Sequence, residues 1–232
     1  CTSTPTSATL LVHSARFTAS LLSNCMKRVR ILFQGDSITD ANRNRANIHD
    51  LGQGYAKYAA PLIEAAKPDT SFEFIDLGIS GNRSDDILAR TTTDIVDIDP
   101  DVISILIGIN DVWHRHSHGR EMTDEQFEAN YRAMLERIRK ETHAKILMLC
   151  PFLLPSSDKE SWRDEVERIA AIVRRLADEY ADAFLPLDEK FAAALPTAPT
   201  PMHYSDDGVH PNAAGAQFIG GHYCEAILPL LS

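Results

Sequence analysis

A serine that directly follows an apolar run is the first residue whose position suits chemistry. Ser37 lies in Gly35-Asp36-Ser37-Ile38-Thr39, so we expect it in the tight turn at the carboxyl end of a buried strand, where a nucleophile can face a crevice. The segment differs from the G-x-S-x-G nucleophile elbow because position 39 is Thr. Taken alone, such a serine is more typical of a turn or a helix N-cap.

A carboxylate and an imidazole lie close together near the other end of the chain. In Asp207-Gly208-Val209-His210-Pro211 the acid precedes the base by three residues, a spacing that suits a turn with both side chains directed into one crevice. His210 can then accept the proton of Ser37, while Asp207 fixes the tautomer of the ring and stabilises its cation. By itself, a histidine just before a helix is more typical of a surface or capping residue.

Two further loops contain groups that can stabilise an oxyanion. Ser80-Gly81-Asn82 and Gly108-Ile109-Asn110-Asp111 each follow an apolar run. The Asn110 amide can donate an N–H, Gly81 leaves room for its backbone N–H to approach a substrate, and the Ser37 N–H is a third donor. Each loop taken alone is better interpreted as an ordinary turn.

The elements that must position these residues alternate between short apolar runs and longer segments of helical period. This alternation is typical of a parallel sheet covered by helices, and the runs are apolar on both faces as such strands should be. The sequence predicts a three-layer α/β/α sandwich with strands at residues 29–34, 72–77, 102–107, 145–150 and 183–187. All the candidate groups then fall at carboxyl ends of strands or in the final loop, a coincidence that chance rarely produces.

Three helices are predicted in detail. Thr123 and Gln126 form a capping box at the start of one, and Pro211 is expected in the first turn of the last. Two apolar stripes at helical spacing mark core-facing sides: Phe127, Tyr131, Met134, Leu135 and Ile138 in one helix, and Trp162, Val166, Ile169, Val173, Leu176 and Tyr180 in the next.

Taken together, these blocks resemble the SGNH hydrolases, also called GDSL esterases and lipases, which are named for Ser, Gly, Asn and His in four motifs. The matching residues are Ser37, Gly81, Asn110 and His210, with Asp207 as the third member of the triad. The resemblance extends from about residue 30 to the C-terminus. It implies the flavodoxin-like SGNH hydrolase fold, a serine esterase that forms an acyl-enzyme intermediate, and no cofactor.

Four segments resemble more narrowly the bacterial acetylxylan esterases of this family: GDSITD at 35–40, LGQGY at 51–55, GISGN at 78–82 and IGINDVW at 107–113. This similarity implies O-acetyl groups on a carbohydrate such as a xylo-oligosaccharide as the substrate, and a cytoplasmic homo-oligomer. Those esterases have Trp just before the triad Asp, where this chain has Asp206. A thioesterase or lysophospholipase with the same triad, and a catalytically silent carbohydrate-binding module, remain as alternatives.

The substrate-binding residues expected under this resemblance are Trp113, Arg83 and Asp36. Trp113 follows Asn110 by three residues and either closes the acyl pocket, which would favour acetyl over longer chains, or packs in the core. Arg83 either contacts a sugar or forms a surface salt bridge. Asp36 directly precedes the nucleophile.

The composition of the chain restricts the classes of partner that it can bind. Acidic residues outnumber basic ones by 33 to 23, the formal charge is −10, and no basic stripe occurs, which argues against nucleic acid. No apolar run approaches the ~20 residues that span a bilayer, so a transmembrane segment is excluded and we expect no membrane partner. We expect no metal, although His114, His116 and His118 can bind one if they lie in an extended loop.

The N-terminal segment is set apart by its composition. Residues 1–25 are rich in Ser and Thr and precede Met26-Lys27-Arg28, which resembles a translation start, so we expect a poorly ordered tail before a single domain at residues 26–232. Cys1 is alternatively the lipid-modified residue of an exported lipoprotein. The four cysteines lack the spacing of metal ligands and are expected to be free thiols.

Overall fold

The structure, a computed structural model, describes residues 27–117, 119 and 121–232. Its centre is a five-stranded sheet in which neighbouring strands run parallel. The predicted tail at residues 1–25 lies outside the described residues, and the single domain at 26–232 stays a prediction. The strands are β1 (Lys27–Gly35), β2 (Thr70–Asp76), β3 (Val102–Leu106), β4 (Lys145–Leu149) and β5 (Ala183–Leu185).

The strand order β2-β1-β3-β4-β5 creates a crevice where the candidate residues lie. The chain passes from β1 to β2 on one side and then returns to β3 on the other, so the connections diverge between β1 and β3. Such a switch point is where parallel sheets bind ligands, outside the carboxyl ends of the strands. Ser37 follows β1 and Asn110 follows β3, so both lie at this crevice.

Helices cover both faces of the sheet. On one face α2 (Tyr55–Ala66) packs against α8 (Ala213–Ile227), and on the other α3 (Ser84–Ala89), α5 (Asp124–Glu141) and α6 (Arg163–Tyr180) pack in succession. Among the described helices, none has the length and apolar character that crossing a bilayer requires. The remaining elements are α1 (Ser37–Asp40), α4 (Ile109–Ser117), α7 (Leu187–Ala194), a short π-helix (Thr92–Val96) and 3₁₀ helices at Glu160–Trp162, Leu195–Thr197 and Leu228–Leu231.

The central strands are apolar on both sides, which is why the sheet needs two helix layers. Successive residues Ile31, Leu32 and Phe33 of β1 are all fully buried, as are Ile103 and Ile105 of β3. Since side chains alternate between faces along a strand, consecutive buried apolar residues require cover on each face. The predicted three-layer α/β/α sandwich with a five-stranded parallel sheet is confirmed.

Most of the predicted local structure is confirmed. Thr123 accepts a hydrogen bond from the Gln126 N–H, Gln126 accepts one from the Thr123 N–H, and the predicted stripe of α5 is buried. Val166, Ile169, Val173 and Leu176 of α6 are buried as predicted. Cys150 and Cys224 are buried free thiols, whereas Cys1 and Cys25 lie outside the described residues.

Several predicted strand ends differ from the structure by one or two residues, and two of the predicted element boundaries are wrong for identifiable reasons. The fifth strand was expected to extend to Leu187, but β5 ends at Leu185 because Pro186 has no N–H to continue the ladder. Pro211 was expected in the first turn of the last helix. Instead Pro211 forms an isolated bridge with Ser205, and Asn212 caps α8 by accepting hydrogen bonds from two backbone N–H groups of its first turn.

Candidate active site

The candidate nucleophile begins a short helix. Ser37 is the first residue of α1, and Asp36 caps this helix because its Oδ1 accepts a 2.9 Å hydrogen bond from the Ile38 N–H. Gly35 allows the strand to turn directly into the helix, since a Cβ there would lie 2.4 Å from Thr39 Oγ1. The first N–H groups of a helix have no partner within it, and the N–H of Ser37 is one of these.

Ser37, His210 and Asp207 form a continuous chain of contacts. Ser37 Oγ lies 2.9 Å from His210 Nε2, and His210 Nδ1 lies 2.7 Å from Asp207 Oδ2. The structure thus brings together the three side chains that the sequence singled out from opposite ends of the chain. Their order is that of a hydroxyl, a base and an orienting acid.

The ionisation of Asp207 determines which way these hydrogen bonds run. Partial burial alone would raise the pKa of Asp207, but hydrogen bonds from the His210 ring and from the N–H groups of His210 and Val209 outweigh it and lower the pKa to about 2. An ionised carboxylate can only accept, so His210 Nδ1 carries the hydrogen. In the neutral ring Nε2 is then the acceptor and the Ser37 hydroxyl donates to it.

The loop that carries Asp207 and His210 is held by hydrogen bonds within the loop and by contacts with a neighbouring segment. Ser205 is buried, and its Oγ donates to the His210 carbonyl oxygen at 2.7 Å and accepts from the Gly208 N–H at 3.0 Å. Gly208 has a φ of +83°, and a Cβ there would lie 2.6 Å from Ser156 Cβ. Only glycine therefore lets the loop dock on the segment whose Leu154 N–H donates to the Gly208 carbonyl at 2.8 Å.

The candidate oxyanion donors lie on two loops that are joined by a hydrogen bond. Asn110, in the first turn of α4, is 6% exposed, and its Nδ2 donates to the Asn82 carbonyl oxygen at 3.0 Å. The second N–H of this amide remains for a substrate oxygen. Gly81 adopts a φ of +84°, and a Cβ there would meet no protein atom within 4 Å. Backbone conformation, rather than crowding by the protein, is therefore what favours glycine at this position.

Two backbone N–H groups complete the set of candidate donors. Within the described part of the chain, the N–H groups of Ser37 and Gly81 donate to no protein acceptor. These two N–H groups are therefore available to donate to a ligand oxygen. The three predicted donors are thus all free to contribute one hydrogen bond.

A buried carboxylate connects α1 to the loop that contains Gly81. Asp40, the last residue of α1, accepts hydrogen bonds from the Ser80 N–H at 2.8 Å and from Ser80 Oγ at 2.7 Å. It also accepts one from Arg45 Nε at 3.1 Å. Burial alone would raise the pKa of Asp40, but the hydrogen bonds from Arg45 and Ser80 outweigh it and lower the pKa. Asp40 is therefore a carboxylate that holds Ser80 in place.

The start of the same loop is held by a buried ion pair. Arg43 Nε donates to the Gly78 carbonyl oxygen at 3.1 Å and lies 3.4 Å from Asp76 Oδ1, which accepts from the Gly78 N–H at 2.8 Å. The side chains of Arg43 and Asp76 are almost completely buried. The loop is thus anchored before Gly81, at Gly78 and Ser80, and after it at Asn82, whose carbonyl oxygen accepts from Asn110, and these contacts fix the direction of the Gly81 N–H.

A cavity of about 360 Å³ lies beside the contact between Ser37 and His210. Both of these residues form part of its wall, and so do Asn42, Gln53 and Ser80. Pockets of this size are at the small end of the range for ligand sites. The nucleophile therefore faces a space that a small substrate can enter.

Trp113 lies next to His210 but outside the lining of this cavity. Its ring centre is 5.8 Å from that of His210 and 5.3 Å from that of Trp162. Lys159 is 6% exposed, and its ammonium lies 5.2 Å from the Trp113 ring centre and 5.8 Å from that of Trp162. The two indoles and the ammonium form a cation–π cluster that holds Trp113 against the base.

Asp36 and Arg83 also lie outside the lining of the cavity. Arg83 is buried and forms an ion pair with Asp85 at 2.7 Å, whereas Asp36 is fully buried and caps α1. Burial raises the pKa of Asp36 to about 7; the Ile38 N–H offsets part of this rise, and the negative charge of Asp111 adds to it. Burial likewise raises the pKa of Asp111 to about 7. These two carboxyl groups thus belong to the interior rather than to the substrate cavity.

The candidate metal ligands do not form an extended loop. His114 and His116 lie in α4, where residues two apart point to different sides, and His118 lies outside the described residues. His116 Nε2 is 2.8 Å from Glu165 Oε1. Within the described residues, no group of three or more His, Cys, Asp or Glu side chains is arranged to hold a metal ion.

Sequence analysis missed four residues that shape this site: Asp40, Asn82, Lys159 and Ser205. The first three act on the site through Ser80, Asn110 and Trp113, which lie 40, 28 and 46 residues away along the chain, and no short motif links them. Only the role of Ser205 could have been predicted from the sequence, because a serine two residues before an acid in a turn often forms a hydrogen bond with the loop backbone.

Known proteins with similar sequences are esterases. The model of the GDSL-like lipase/acylhydrolase family matches residues 33–218. Over 205 residues the chain is 30% identical to an acetylxylan esterase of Geobacillus stearothermophilus, a match that covers 85% of this chain and 93% of that esterase.

Solved structures of such proteins have the same fold. The crystal structure of the Geobacillus esterase superposes with a TM-score of 0.78 at 28% identity, covering 86% of this chain and 94% of that one. A GDSL-like lipase of Parabacteroides merdae gives a TM-score of 0.81 at 33% identity, covering 86% and 95%. Variants of the Geobacillus protein with a serine, histidine or aspartate replaced by alanine are described as catalytic mutants, and other variants as an acetyl-xylooligosaccharide esterase. The chain belongs to the GDSL-like lipase/acylhydrolase family and is a carboxylic ester hydrolase.

Proposed function

We propose that this hydrolase removes short acyl groups, specifically O-acetyl groups of xylo-oligosaccharides, through an acyl-enzyme intermediate on Ser37. The observation that carries the proposal is the continuous chain from Ser37 Oγ through His210 to Asp207, with distances of 2.9 and 2.7 Å. A serine hydroxyl is a weak nucleophile by itself. A neutral imidazole oriented by a carboxylate is the base that activates it.

In the first half of the reaction, Ser37 Oγ attacks the carbonyl carbon of the ester while its proton passes to His210 Nε2. Negative charge develops on the carbonyl oxygen, and the Asn110 amide with the N–H groups of Gly81 and Ser37 stabilises it. The imidazolium then gives its proton to the oxygen of the leaving alcohol. The carbon–oxygen bond breaks, the alcohol departs, and the acyl group remains on Ser37.

In the second half, a water molecule gives a proton to His210 and attacks the carbonyl carbon of the acyl-enzyme. The same donors stabilise the second oxyanion, and its collapse returns the proton to Ser37 and releases the carboxylic acid. Asp207 stays ionised in both halves, because its pKa is about 2, and it stabilises the imidazolium each time.

Three observations favour a small acyl group on a neutral carbohydrate. The chain is similar to a protein named as an acetylxylan esterase over most of its length. Trp113, next to His210, is a large rigid side chain near the reacting bond, which favours acetyl over longer acyl groups. The formal charge of −10 is more compatible with an uncharged substrate than with a polyanionic one.

The proposal is tested by measuring acid release from acetylated xylo-oligosaccharides together with a series of acyl esters of increasing chain length. We expect the highest kcat/KM for acetyl esters and release of acetate from the oligosaccharides. Higher rates with long-chain acyl thioesters or lysophospholipids would favour those alternatives instead. Ser37→Ala is the control: its activity should be absent, and a wild-type protein as inactive as this variant would indicate a silent binding module.

Assembly and location stay predictions. We propose a homo-oligomer in the cytoplasm. Light scattering on the purified protein measures the oligomeric state, and a monomer at micromolar concentration would contradict the first part. Cell fractionation tests the second part against the alternative of a lipoprotein anchored at Cys1.

A further inference from the structure

The cavity beside Ser37 has a wall without formal charge. It is formed by both members of the Ser37–His210 contact, by hydroxyl and carboxamide side chains such as Ser80, Asn42 and Gln53, and otherwise by apolar residues and a tyrosine. Among the residues that line it in the described chain, none is Asp, Glu, Lys or Arg. A ligand that carries phosphate groups would need cationic partners that this wall does not provide.

Two carboxamides in the wall have unused hydrogen-bonding groups. Gln53 is exposed, and its Oε1 accepts a 2.6 Å hydrogen bond from Lys57 Nζ, which leaves the two hydrogens of its amide nitrogen for another acceptor. Asn42 is also exposed, and no described residue forms a hydrogen bond with its side chain. A ligand in the cavity therefore meets donors and acceptors on both residues.

The backbone that carries Asn42 is held in an uncommon conformation. Ala41 and Asn42 have φ values of 40° and 62°, so two successive residues other than glycine adopt the left-handed region. The Ala41 carbonyl oxygen accepts from the Gln53 N–H at 2.8 Å, which ties the two carboxamide-bearing segments together. Left-handed residues of this kind persist only where surrounding contacts hold them, and they occur frequently at ligand sites.

We propose that this cavity binds the leaving alcohol of the ester as one uncharged sugar ring, and that Asn42 and Gln53 recognise its free hydroxyl groups. The inference rests on the proposed esterase function. It goes further by naming the residues that give specificity for the alcohol. The nucleophile forms part of the cavity wall, so an ester whose carbonyl contacts Ser37 extends its alcohol into this space. The volume of about 360 Å³ accommodates a sugar ring, and neutral donors and acceptors suit hydroxyl groups.

The experiment compares two acetyl esters that differ only in the alcohol. Phenyl acetate has a leaving group without hydroxyls, whereas a monoacetylated methyl xyloside has several. We measure kcat/KM for both esters with wild type, Gln53→Leu and Asn42→Gly; glycine removes the amide of Asn42 and suits its positive φ. We expect the ratio of xyloside to phenyl acetate activity to fall roughly 5- to 10-fold in each variant, the effect of one neutral hydrogen bond.

Gln217→Leu is the matched control, because it removes an exposed glutamine on α8 that does not line the cavity, and its ratio should equal that of wild type. An unchanged ratio in both Gln53→Leu and Asn42→Gly would overturn the inference, and so would equal losses on both esters. A wild-type protein that hydrolyses phenyl acetate but not the xyloside would also overturn it, while leaving the esterase intact. Failure of wild type on both esters would instead reject the proposed function itself.

Discussion

Replacing Asp36 with Asn should remove a loss of stability that develops as the pH rises. Asp36 is fully buried, and burial raises its pKa from 3.8 to about 7, although the Ile38 N–H offsets part of the rise. Asn keeps an oxygen that can accept the 2.9 Å hydrogen bond from that N–H, and it matches the shape of the neutral acid. The substitution therefore tests the cost of ionising this group while the cap of α1 is retained.

The sign and size of the effect follow from the two pKa values. Because the pKa of Asp36 is higher in the folded protein, the folded state binds a proton that the unfolded chain has lost between about pH 4 and pH 7. The contribution of this group to the free energy of unfolding is fully present below about pH 4 and is lost as the pH rises through about 7. One pKa unit corresponds to about 1.4 kcal/mol, so the complete loss is roughly 4 kcal/mol.

We expect the free energy of unfolding of wild type to fall by roughly 2–3 kcal/mol more than that of Asp36→Asn between about pH 5 and pH 8.5. Urea denaturation followed by tryptophan fluorescence measures it at each pH. Asp178→Asn removes the same charge from an exposed position on α6, so its curve should parallel that of wild type. Parallel curves for wild type and Asp36→Asn would refute the reasoning.

Further predictions concern catalysis. Ser37→Ala should lower kcat by on the order of 10⁶, and Asn110→Ala by roughly 10²–10³ if it supplies one oxyanion donor; steady-state kinetics on an acetyl ester measures both, and an unchanged rate would remove the assigned role. Asp40→Asn should lower kcat roughly tenfold or more with little change in KM, because the oxyanion loop is needed in the transition state; a change confined to KM would contradict this. Because the pKa of Asp207 is about 2, its protonation should reduce activity only below about pH 3, and a pH profile of kcat/KM with a two-proton slope above that pH would argue otherwise.

The sheet could be predicted from sequence because its signals are local. Each strand of the centre is a short run of consecutive apolar residues, and such a run identifies a doubly covered strand wherever it occurs. The ends of the strands depend on single residues: Pro186 terminates β5 because it lacks an N–H, and this could have been anticipated. The sequence could not decide whether α8 begins at Pro211 or is capped by Asn212, because both residue types are typical of helix starts.

The candidate site was predictable in its reacting groups and its oxyanion donors but not in the residues that support them. Ser37, Asp207 and His210 carry chemistry that few residue types can perform, so their identities are informative even without a structure. The supporting residues are of common types, and their roles depend on which loops meet. Asp40 acts through Ser80, which is 40 residues away, and the ammonium of Lys159 lies over the rings of both Trp113 and Trp162. Nothing in the local sequence indicates these pairings.

The geometry of nucleophile and oxyanion donors is set within one turn of helix. Ser37 is the first residue of α1 and Asp40 is the last, so the hydroxyl and the carboxylate are separated by a single rigid turn. Because Asp40 holds Ser80, next to Gly81, the donor loop is positioned relative to the candidate nucleophile as well as relative to the sheet, to which Asp76 ties Gly78. A shift of α1 would move both together. Under the proposed mechanism, stabilisation of the oxyanion depends on their relative placement, so the contact between Asp40 and Ser80 contributes directly to it.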